Sequence, residues 1–187
     1  DVVVEMAIAE KLSVLPVHER EWDYYVADQN INDRGVALDS ELVQSALYCK
    51  DHKMELLFEE MRVITGLDNP NSRAKLLPWL KEHGYAPEGL TKADVQNELK
   101  TATGELQRVL ELKLQTAMSS LKKYEAMERA VCSDGRVHGL LQFYGASRTG
   151  RWAGRVVQVQ NLARNYLKDL DDARDYVKAK DIDAVEI

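Results

Sequence analysis

Cysteine and histidine are scarce in this chain, and neither is spaced for cross-linking or metal binding. Its 187 residues include two cysteines, Cys49 and Cys132, which are far apart and belong to no CxxC pair. The four histidines stand singly, without the spacing of metal ligands. These absences argue against a disulfide framework and a zinc site. We therefore interpret the cysteines as packing residues in a reducing, cytoplasmic compartment.

Long apolar runs are also absent. No stretch approaches the ~20 apolar residues that a membrane helix needs, so we expect no membrane partner. The first residues, D-V-V-V-E, carry an acid where a signal peptide has a basic region. The chain begins without Met and stops at D-A-V-E-I, and we expect it to be a piece of a longer protein. With 45% apolar and 30% charged residues, the composition is typical of a soluble globular protein.

Acidic residues are missing from one zone of a chain whose net charge is −6. No carboxylate lies between Asp134 and Asp169, although this zone holds Arg136, Arg148, Arg151, Arg155, Arg164 and Lys168. Most of these cations lie in the basic segment, residues 147–165, which reads S-R-T-G-R-W-A-G-R-V-V-Q-V-Q-N-L-A-R-N. A local excess of cations in an acidic protein predicts a polyanionic partner.

Hydrophobic periodicity predicts a mainly α-helical chain with a small β component. Asp39 is a suitable N-cap for a long amphipathic helix that Gly66 would end. A second long helix is expected from Thr103 or Gly104 to Met127. Each would span about 35–40 Å, and the two should pack antiparallel as an elongated helical arm. Shorter helices are predicted at residues 2–12 and 18–32, between the turn at 69–72 and Gly84, from Thr91 to Leu99, and at 171–180.

A strand is predicted immediately before the basic segment. The D-G pair at 134–135 is a turn signal. In V-H-G-L-L-Q-F-Y, residues 137–144, one face of the alternating pattern reads Val, Gly, Leu and Phe, which is the period of a strand. This strand would deliver the chain directly into the basic segment.

Three alternatives to nucleic-acid binding are open for the basic segment. G-A-S-R-T-G-R at 145–151 has the glycine spacing of a phosphate-binding loop, but Arg151 and Trp152 replace the required Lys and Ser/Thr. The segment could instead be a solvated surface loop, although this leaves unexplained a zone of more than thirty residues without an acid. The chain could also be a stand-alone helical protein-interaction module with a basic surface loop.

Duplex binding accounts best for the residue types of the segment. The minor groove offers hydrogen-bond acceptors at every base pair, so long donors can reach them without reading the sequence. A mispair displaces these acceptors, and the same donors can therefore sense it. The donors of this kind are Arg151, Gln158, Gln160 and Asn161. The remaining arginines of the segment suit phosphate contacts: Arg148, Arg155 and Arg164.

The segment resembles a motif of family A (DNA polymerase I-like) DNA polymerases, particularly the bacteriophage type. T-G-R-W-A-G-R-V-V-Q-V-Q-N-L, residues 149–162, is similar to the family pattern T-G-R-L-S-S-x-x-P-N-L-Q-N-I-P. Four further stretches resemble family segments in the same order: I-N-D-R-G-V-A-L-D at 31–39, N-P-N-S-R-A-K-L-L-P-W-L at 69–80, L-K-K-Y at 121–124 and D-G-R-V-H at 134–138. The ordered set makes the resemblance specific and extends it over nearly the whole chain.

The resemblance implies a domain map and partners. Residues 1–14 would be the C-terminal end of an exonuclease-like domain, and residues 15–38 the segment leading into the polymerase domain. Residues 39–134 would form the helical thumb, and residues 135–187 the start of a truncated palm. The implied partners are a DNA primer–template and the remainder of the polymerase chain.

The resemblance also assigns roles to individual residues. Arg151, Gln160 and Asn161 would contact the primer–template minor groove, and Gln158 stands where the family often has Asn. The family's Leu-Ser-Ser is Trp-Ala-Gly here, and its Pro after the Q-N pair is Ala163, so the hydroxyl contacts are not carried over. On the thumb, Gln115 and Ser119 replace common basic residues, which leaves Lys122 and Lys123 as candidate phosphate contacts.

Catalysis is expected of the parent protein and not of this chain. The resemblance implies a DNA-directed DNA polymerase, a nucleotidyltransferase of DNA replication that uses Mg²⁺ held by palm carboxylates. The family's D-x-S-x-x-E segment does not occur before Ile187, so we predict no catalytic residue and no bound cofactor in this fragment. Asp1 falls at the position of an exonuclease metal ligand without its companions. The acids of D-L-D-D-A-R-D at 169–175 suit an exposed helix face.

Overall fold

Helices account for most of the computed structural model, which describes residues 1–117, 121–162 and 166–184. Two small antiparallel sheets complete the described part, which confirms the predicted mainly α class. The elements are α1 (Val2–Leu12), α2 (Glu19–Arg34), β1 (Val36–Ala37), α3 (Ser40–Thr65), α4 (Arg73–Glu82), α5 (Lys92–Glu98), α6 (Gly104–Thr116), α7 (Lys122–Ala130), β2 (Arg136–Val137), β3 (Leu141–Ala146), β4 (Arg151–Gly154), a 3-10 helix (Val159–Asn161) and α8 (Leu170–Lys178). None of the described helices is long and apolar enough to cross a membrane.

The chain divides into two units, each built from two separate stretches. The hairpin unit comprises Asp1–Leu38 and Arg129–Arg164. The helical unit comprises Asp39–Glu128 and Asn165–Ile187. The chain therefore leaves the first unit at Leu38 and returns to it about ninety residues later.

Helix α3, the longest element of the helical unit, begins and ends where the sequence predicts. The Asp39 carboxylate accepts the Leu42 N–H at 3.0 Å, which satisfies a backbone donor that the first turn leaves free. Gly66 adopts a φ of +68°, the left-handed conformation that ends a helix without steric cost for glycine. The apolar stripe of α3 is buried at Val43, Leu47, Leu57 and Met61.

Helices α6 and α7 run antiparallel to α3. Near the end of α3, Glu60 accepts two hydrogen bonds from Arg108 of α6, at 2.6 and 2.9 Å. Nearer its start, Lys50 donates to Glu125 of α7 at 2.7 Å. Since residue numbers rise along one partner as they fall along the other, the predicted antiparallel packing is confirmed within this unit. The core cluster between these helices and their short connectors consists of Leu57, Met61, Leu76, Leu80, Tyr85, Val95, Leu106, Val109, Leu110 and Leu112.

The prediction of one continuous helix from residue 104 to 127 is wrong. Helix α6 ends at Thr116, and Ala117 after it is exposed. The Thr116 hydroxyl donates to the Lys113 carbonyl at 3.1 Å, a side-chain bond that competes with helical backbone pairing. The Ala117 N–H then bonds to Leu114, three residues back, which tightens the last turn.

The shorter helices of this unit follow local signals. Thr91 and Asp94 form a capping box at the start of α5, since Thr91 Oγ1 accepts the Asp94 N–H and the Asp94 carboxylate accepts the Thr91 N–H. Pro78 lies inside α4, which continues to Glu82. Helix α8 packs on α3, where Lys178 Nζ lies 2.8 Å from the Asp39 carboxylate.

In the hairpin unit, Arg136 and His138 bind the end of α2. The Arg136 guanidinium donates to the carbonyls of Arg34 and Gly35 at 2.6 and 3.0 Å, and His138 Nδ1 lies 2.9 Å from the Asp33 carbonyl. Cationic donors at a helix C-terminus satisfy carbonyls that the helix itself leaves unpaired. Arg136, although part of the acid-free zone, is therefore occupied within the fold.

The strand predicted over residues 137–144 is divided in two. Strand β2 pairs antiparallel with β1, with Val36 opposite Val137, whereas β3 pairs with β4. Between β2 and β3, Gly139 takes a φ of +63°, which interrupts the extended conformation. The two halves of the predicted strand therefore belong to different sheets.

Candidate nucleic-acid interface

The basic segment begins in the turn of the β3–β4 hairpin. The N–H groups of Thr149 and Gly150 both donate to the Ala146 carbonyl at 2.9 Å. Gly150 adopts a φ of +64°, and a Cβ there would lie 2.8 Å from the Tyr144 ring. Because the ring covers this position, the turn needs glycine for both conformation and space. Arg148 lies within the turn, and Arg151 is the first residue of β4.

The three described arginines of the segment are exposed and carry no ion pair. Arg151 Nε donates to the Thr149 hydroxyl at 3.3 Å, and the Arg155 guanidinium donates to the Gln142 side-chain oxygen. Within the described residues, no carboxylate pairs with Arg148, Arg151 or Arg155. Their positive charge is therefore available to an anion from outside the unit.

A second turn follows β4 and carries the amide side chains. Val156 and Gln158 have φ values of +53° and +52°, which are unfavourable for residues with a Cβ, above all for β-branched valine. Such a backbone costs about 1–3 kcal/mol per residue and persists where the surroundings hold it. Here Val157 is buried, and the Arg155 N–H donates to the Leu140 carbonyl at 2.8 Å.

The turn brings Gln158 and Asn161 together. Asn161 Nδ2 donates to the Gln158 side-chain oxygen at 3.0 Å, and the Asn161 backbone N–H donates to the Gln158 carbonyl at 2.9 Å. The Gln160 side chain packs against Gly154, where any Cβ would collide with it. The three amide side chains, all exposed, thus share one short stretch of the hairpin unit with Arg151 of β4 and with Arg155, which follows that strand.

The other predicted contact residues lie elsewhere. Lys122 and Lys123 are the first two residues of α7, in the helical unit, and Lys122 is exposed. Arg164 lies outside the described residues. The two lysines therefore belong to the helical unit, whereas the described contact residues of the basic segment belong to the hairpin unit.

A polar stripe of α2 supports the hairpin, and the sequence analysis missed it. Asn32 bonds to Leu141, Asp28 to Trp152 and Glu21 to Tyr144, while the ring of Tyr25 packs edge-on against Phe143 with centroids 5.7 Å apart. The four α2 residues recur at steps of 4, 3 and 4, so they lie on one helical face. That spacing is present in the sequence, but hydrophobic periodicity does not detect polar residues. On the same helix, the apolar residues Trp22 and Val26 are 55% and 52% exposed.

Asp28 is the centre of this stripe. Its side chain is 2% exposed and accepts three hydrogen bonds, from Trp152 Nε1 at 2.7 Å, Gln29 Nε2 at 3.0 Å and Asn32 Nδ2 at 3.1 Å. A buried carboxylate without donors would be strongly unfavourable, so these bonds fix its orientation. The stripe also affects Tyr144, whose pKa is raised chiefly by its hydrogen bond to the Glu21 carboxylate.

The described residues do not fit a magnesium site. No group of three or more His, Cys, Asp or Glu side chains among them could hold a metal ion. Asp1, the N-cap residue of α1, makes no side-chain capping bond and lies exposed. We assign these residues no metal-dependent step.

Comparison with known proteins finds a phage DNA polymerase. The chain is 47% identical over 188 aligned residues to a DNA polymerase of Bacillus phage SP02. The match covers 100% of this chain and 29% of the phage protein, so the chain spans less than a third of its relative. No family model and no solved structure matches the chain. The sequence is therefore related along its whole length to one part of a DNA polymerase.

Proposed function

We propose that this chain is the duplex-binding part of a family A DNA polymerase of bacteriophage type, acting in cytoplasmic DNA replication. Residues 39–134 form the thumb and residues 135–187 begin the palm, preceded by the end of an exonuclease-like domain at 1–14 and a connecting segment at 15–38. The partners are a primer–template and the remainder of the polymerase chain. The parent enzyme is a DNA-directed DNA polymerase that uses Mg²⁺, and this chain alone is inactive.

One observation carries the proposal: exposed arginines that pair with no carboxylate in the described part of the chain share the hairpin unit with a cluster of exposed amides. In an acidic chain, a concentration of such arginines on one short stretch favours a polyanion as the binding partner. The identity to a phage DNA polymerase favours DNA as that polyanion. A protein–protein contact would also use arginines, but it would not require three neighbouring amide donors.

The residue types divide between the two kinds of duplex contact. Arg151, Gln158, Gln160 and Asn161 donate to minor-groove acceptors, which every base pair offers. Phosphate contacts come from Arg148, Arg155 and Arg164, with Lys122 and Lys123 adding thumb contacts. Because Gln158 and Asn161 already hydrogen-bond to each other, their side chains are partly ordered before DNA arrives. Such ordering lowers the conformational cost of binding.

Fluorescence anisotropy with labelled primer–templates of unrelated sequence tests the proposal. We expect similar affinities for all sequences and a steep loss of binding as salt rises, because phosphate contacts release counterions. Arg151→Ala should weaken binding. The matched control is Arg174→Ala, since Arg174 is an exposed arginine of α8 already paired with Asp171 at 3.0 Å.

The outcomes separate the proposal from its rival. No binding of the wild-type chain at low salt would contradict duplex binding and favour the stand-alone protein-interaction module. Equal losses in Arg151→Ala and Arg174→Ala would indicate a general charge effect and remove Arg151 from the contact set. Sequence-dependent affinities would contradict the minor-groove assignment.

A further inference from the structure

We infer that Asp28 and Trp152 together position Arg151 for minor-groove contact, so that the α2–β4 hydrogen bond sets how well the protein senses a mispair. This inference rests on the proposed duplex binding. Trp152 follows Arg151 directly in β4. Successive side chains of a strand point to opposite faces, so the direction of one determines that of the other.

Trp152 is held on the face toward α2. Its indole N–H donates to the buried Asp28 carboxylate at 2.7 Å. Its ring also meets Phe143 and Tyr24 edge-on, with centroids 5.6 and 6.1 Å apart. Trp152 remains 42% exposed, so its hydrogen bond and ring contacts, and not burial, hold it on that face. Arg151, the preceding residue of β4, is also exposed and lies on the opposite face by strand alternation. The same bond that anchors Trp152 therefore aims Arg151 away from α2.

The hairpin itself does not fix this orientation. The pairing of β3 with β4 is in register at Gln142 with Ala153 and at Ala146 with Arg151, but it shifts between those two points. A shifted register leaves the ladder locally disrupted and increases the local twist. An anchor outside the hairpin is therefore needed where β4 begins, and Asp28 supplies it.

Asp28 is itself held rigidly. Gln29 and Asn32 donate to its second carboxylate oxygen, and Asn32 is bonded to both backbone groups of Leu141. One patch of α2 therefore holds β3 at Leu141 and β4 at Trp152. The family pattern has Leu at the position of Trp152, and the leucine side chain has no N–H to donate. The Asp28–Trp152 bond is accordingly a feature of this chain that the family motif does not contain.

Loss of the Asp28–Trp152 bond should affect discrimination between matched and mismatched primer ends more than overall affinity for the duplex. Phosphate contacts supply most of the binding and tolerate small displacements, whereas a minor-groove hydrogen bond depends on direction. A loosely held Arg151 would still attract the duplex. It would distinguish a matched primer end from a mismatched one less well, because it could follow a displaced acceptor.

A double-mutant cycle tests this inference on the full chain. Binding is measured by anisotropy for primer–templates with matched and mismatched primer ends, using the wild type, Trp152→Phe, Arg151→Ala and the double variant. Trp152→Phe keeps an aromatic ring and removes the indole N–H. We expect Trp152→Phe to reduce the ratio of matched to mismatched affinity severalfold. In the Arg151→Ala background we expect Trp152→Phe to have no further effect on this ratio, because the effects of substitutions at coupled residues are not additive. Trp22→Phe is the matched control, since the exposed Trp22 indole donates no hydrogen bond among the described residues.

Thermal unfolding distinguishes a positioning effect from a folding effect. If Trp152→Phe does not fold, Asp28→Asn replaces it, because asparagine keeps the size and an oxygen acceptor but loses the charge; the same coupling to Arg151 is expected, at smaller size. The positioning role is overturned, while duplex binding stands, if Trp152→Phe leaves the matched-to-mismatched affinity ratio unchanged. It is overturned in the same way if Trp152→Phe still lowers this ratio in the Arg151→Ala background. Wild-type chain that binds no duplex, or an Arg151→Ala variant that binds like wild type, overturns the inference together with its premise.

Discussion

The Asn32 side chain pairs with both backbone groups of Leu141. Asn32 Oδ1 accepts the Leu141 N–H and Asn32 Nδ2 donates to the Leu141 carbonyl, each at 2.9 Å, across 109 residues of sequence. The Asn32 side chain thus makes the pair of backbone hydrogen bonds that a neighbouring strand would make, and it joins α2 to the beginning of β3. The contact links two stretches of the hairpin unit that are separated by the whole of α3 to α7.

Replacing Asn32 by Ala should destabilise the hairpin unit by about 2–3 kcal/mol, because three hydrogen bonds are lost, two to Leu141 and one to Asp28, and backbone groups of Leu141 are left without partners. Urea unfolding monitored by tryptophan fluorescence would measure the change. Asn30→Ala serves as the control, since Asn30 is exposed on the same helix. Equal stabilities for the two variants would mean that the Asn32 bonds do not contribute.

Gly150→Ala should destabilise the hairpin more than Gly139→Ala. Both glycines have φ values near +64°, so alanine costs each about 1–2 kcal/mol in backbone conformation. Only at Gly150 does the new Cβ also meet an aromatic ring, because no atom lies within 4 Å of a Cβ at Gly139. The difference between the unfolding free energies of Gly150→Ala and Gly139→Ala measures the cost of the contact between the new Cβ and the Tyr144 ring. Equal unfolding free energies would show that the Tyr144 ring moves aside without cost.

Leu80→Ala should destabilise the helical unit by about 2–5 kcal/mol, since a fully buried leucine leaves a cavity when truncated. Leu80 is 0% exposed in the core between α3, α4 and α6, whereas Leu56 is 51% exposed on α3. Leu56→Ala is therefore the matched control, with an expected change within about 0.5 kcal/mol. Circular dichroism during chemical unfolding would follow both, and comparable losses would contradict the described core.

The hairpin unit should lose stability as pH rises above 6.5 through the titration of His138. The hydrogen bond from His138 Nε2 to the Asp134 carboxylate, 3.0 Å long, is the main cause of a pKa raised above the ordinary 6.5, and the Asp33 carbonyl at Nδ1 adds to it. Because the folded pKa exceeds the unfolded one, the contribution is complete below pH 6.5 and disappears as pH rises through the folded value.

Two measurements check this titration. An NMR titration of the His138 ring should give a midpoint above that of a histidine in an unfolded peptide. The stability difference between wild type and His138→Gln should shrink as pH rises from below 6.5 through the folded pKa of His138. If the stability difference between wild type and His138→Gln instead grew with pH, the protonated His138 ring would not be the stabilising form.

Local signals predicted much of the helical unit, because the forces that end a helix act within a few residues. Asp39 and Gly66 bound α3, and Thr91 with Asp94 begins α5, through contacts no more than four residues apart. Periodicity also placed Leu57 and Met61 in the core. The same approach failed at Thr116, where a side-chain hydroxyl bond to the backbone outweighed an apolar pattern that continued further along the chain.

The sequence by itself determined the helix-rich class, the ends of α3 and the concentration of arginines and amides in residues 147–165, since composition and short-range spacing carry that information. Only the tertiary structure decided which cations are engaged within the fold. It binds Arg136 at the end of α2, whereas no carboxylate of the described residues pairs with Arg148 or Arg151. It also brought Asp28 to Trp152 over 124 residues of sequence. Contacts between distant stretches depend on how the elements pack, and neither periodicity nor motif spacing records that packing.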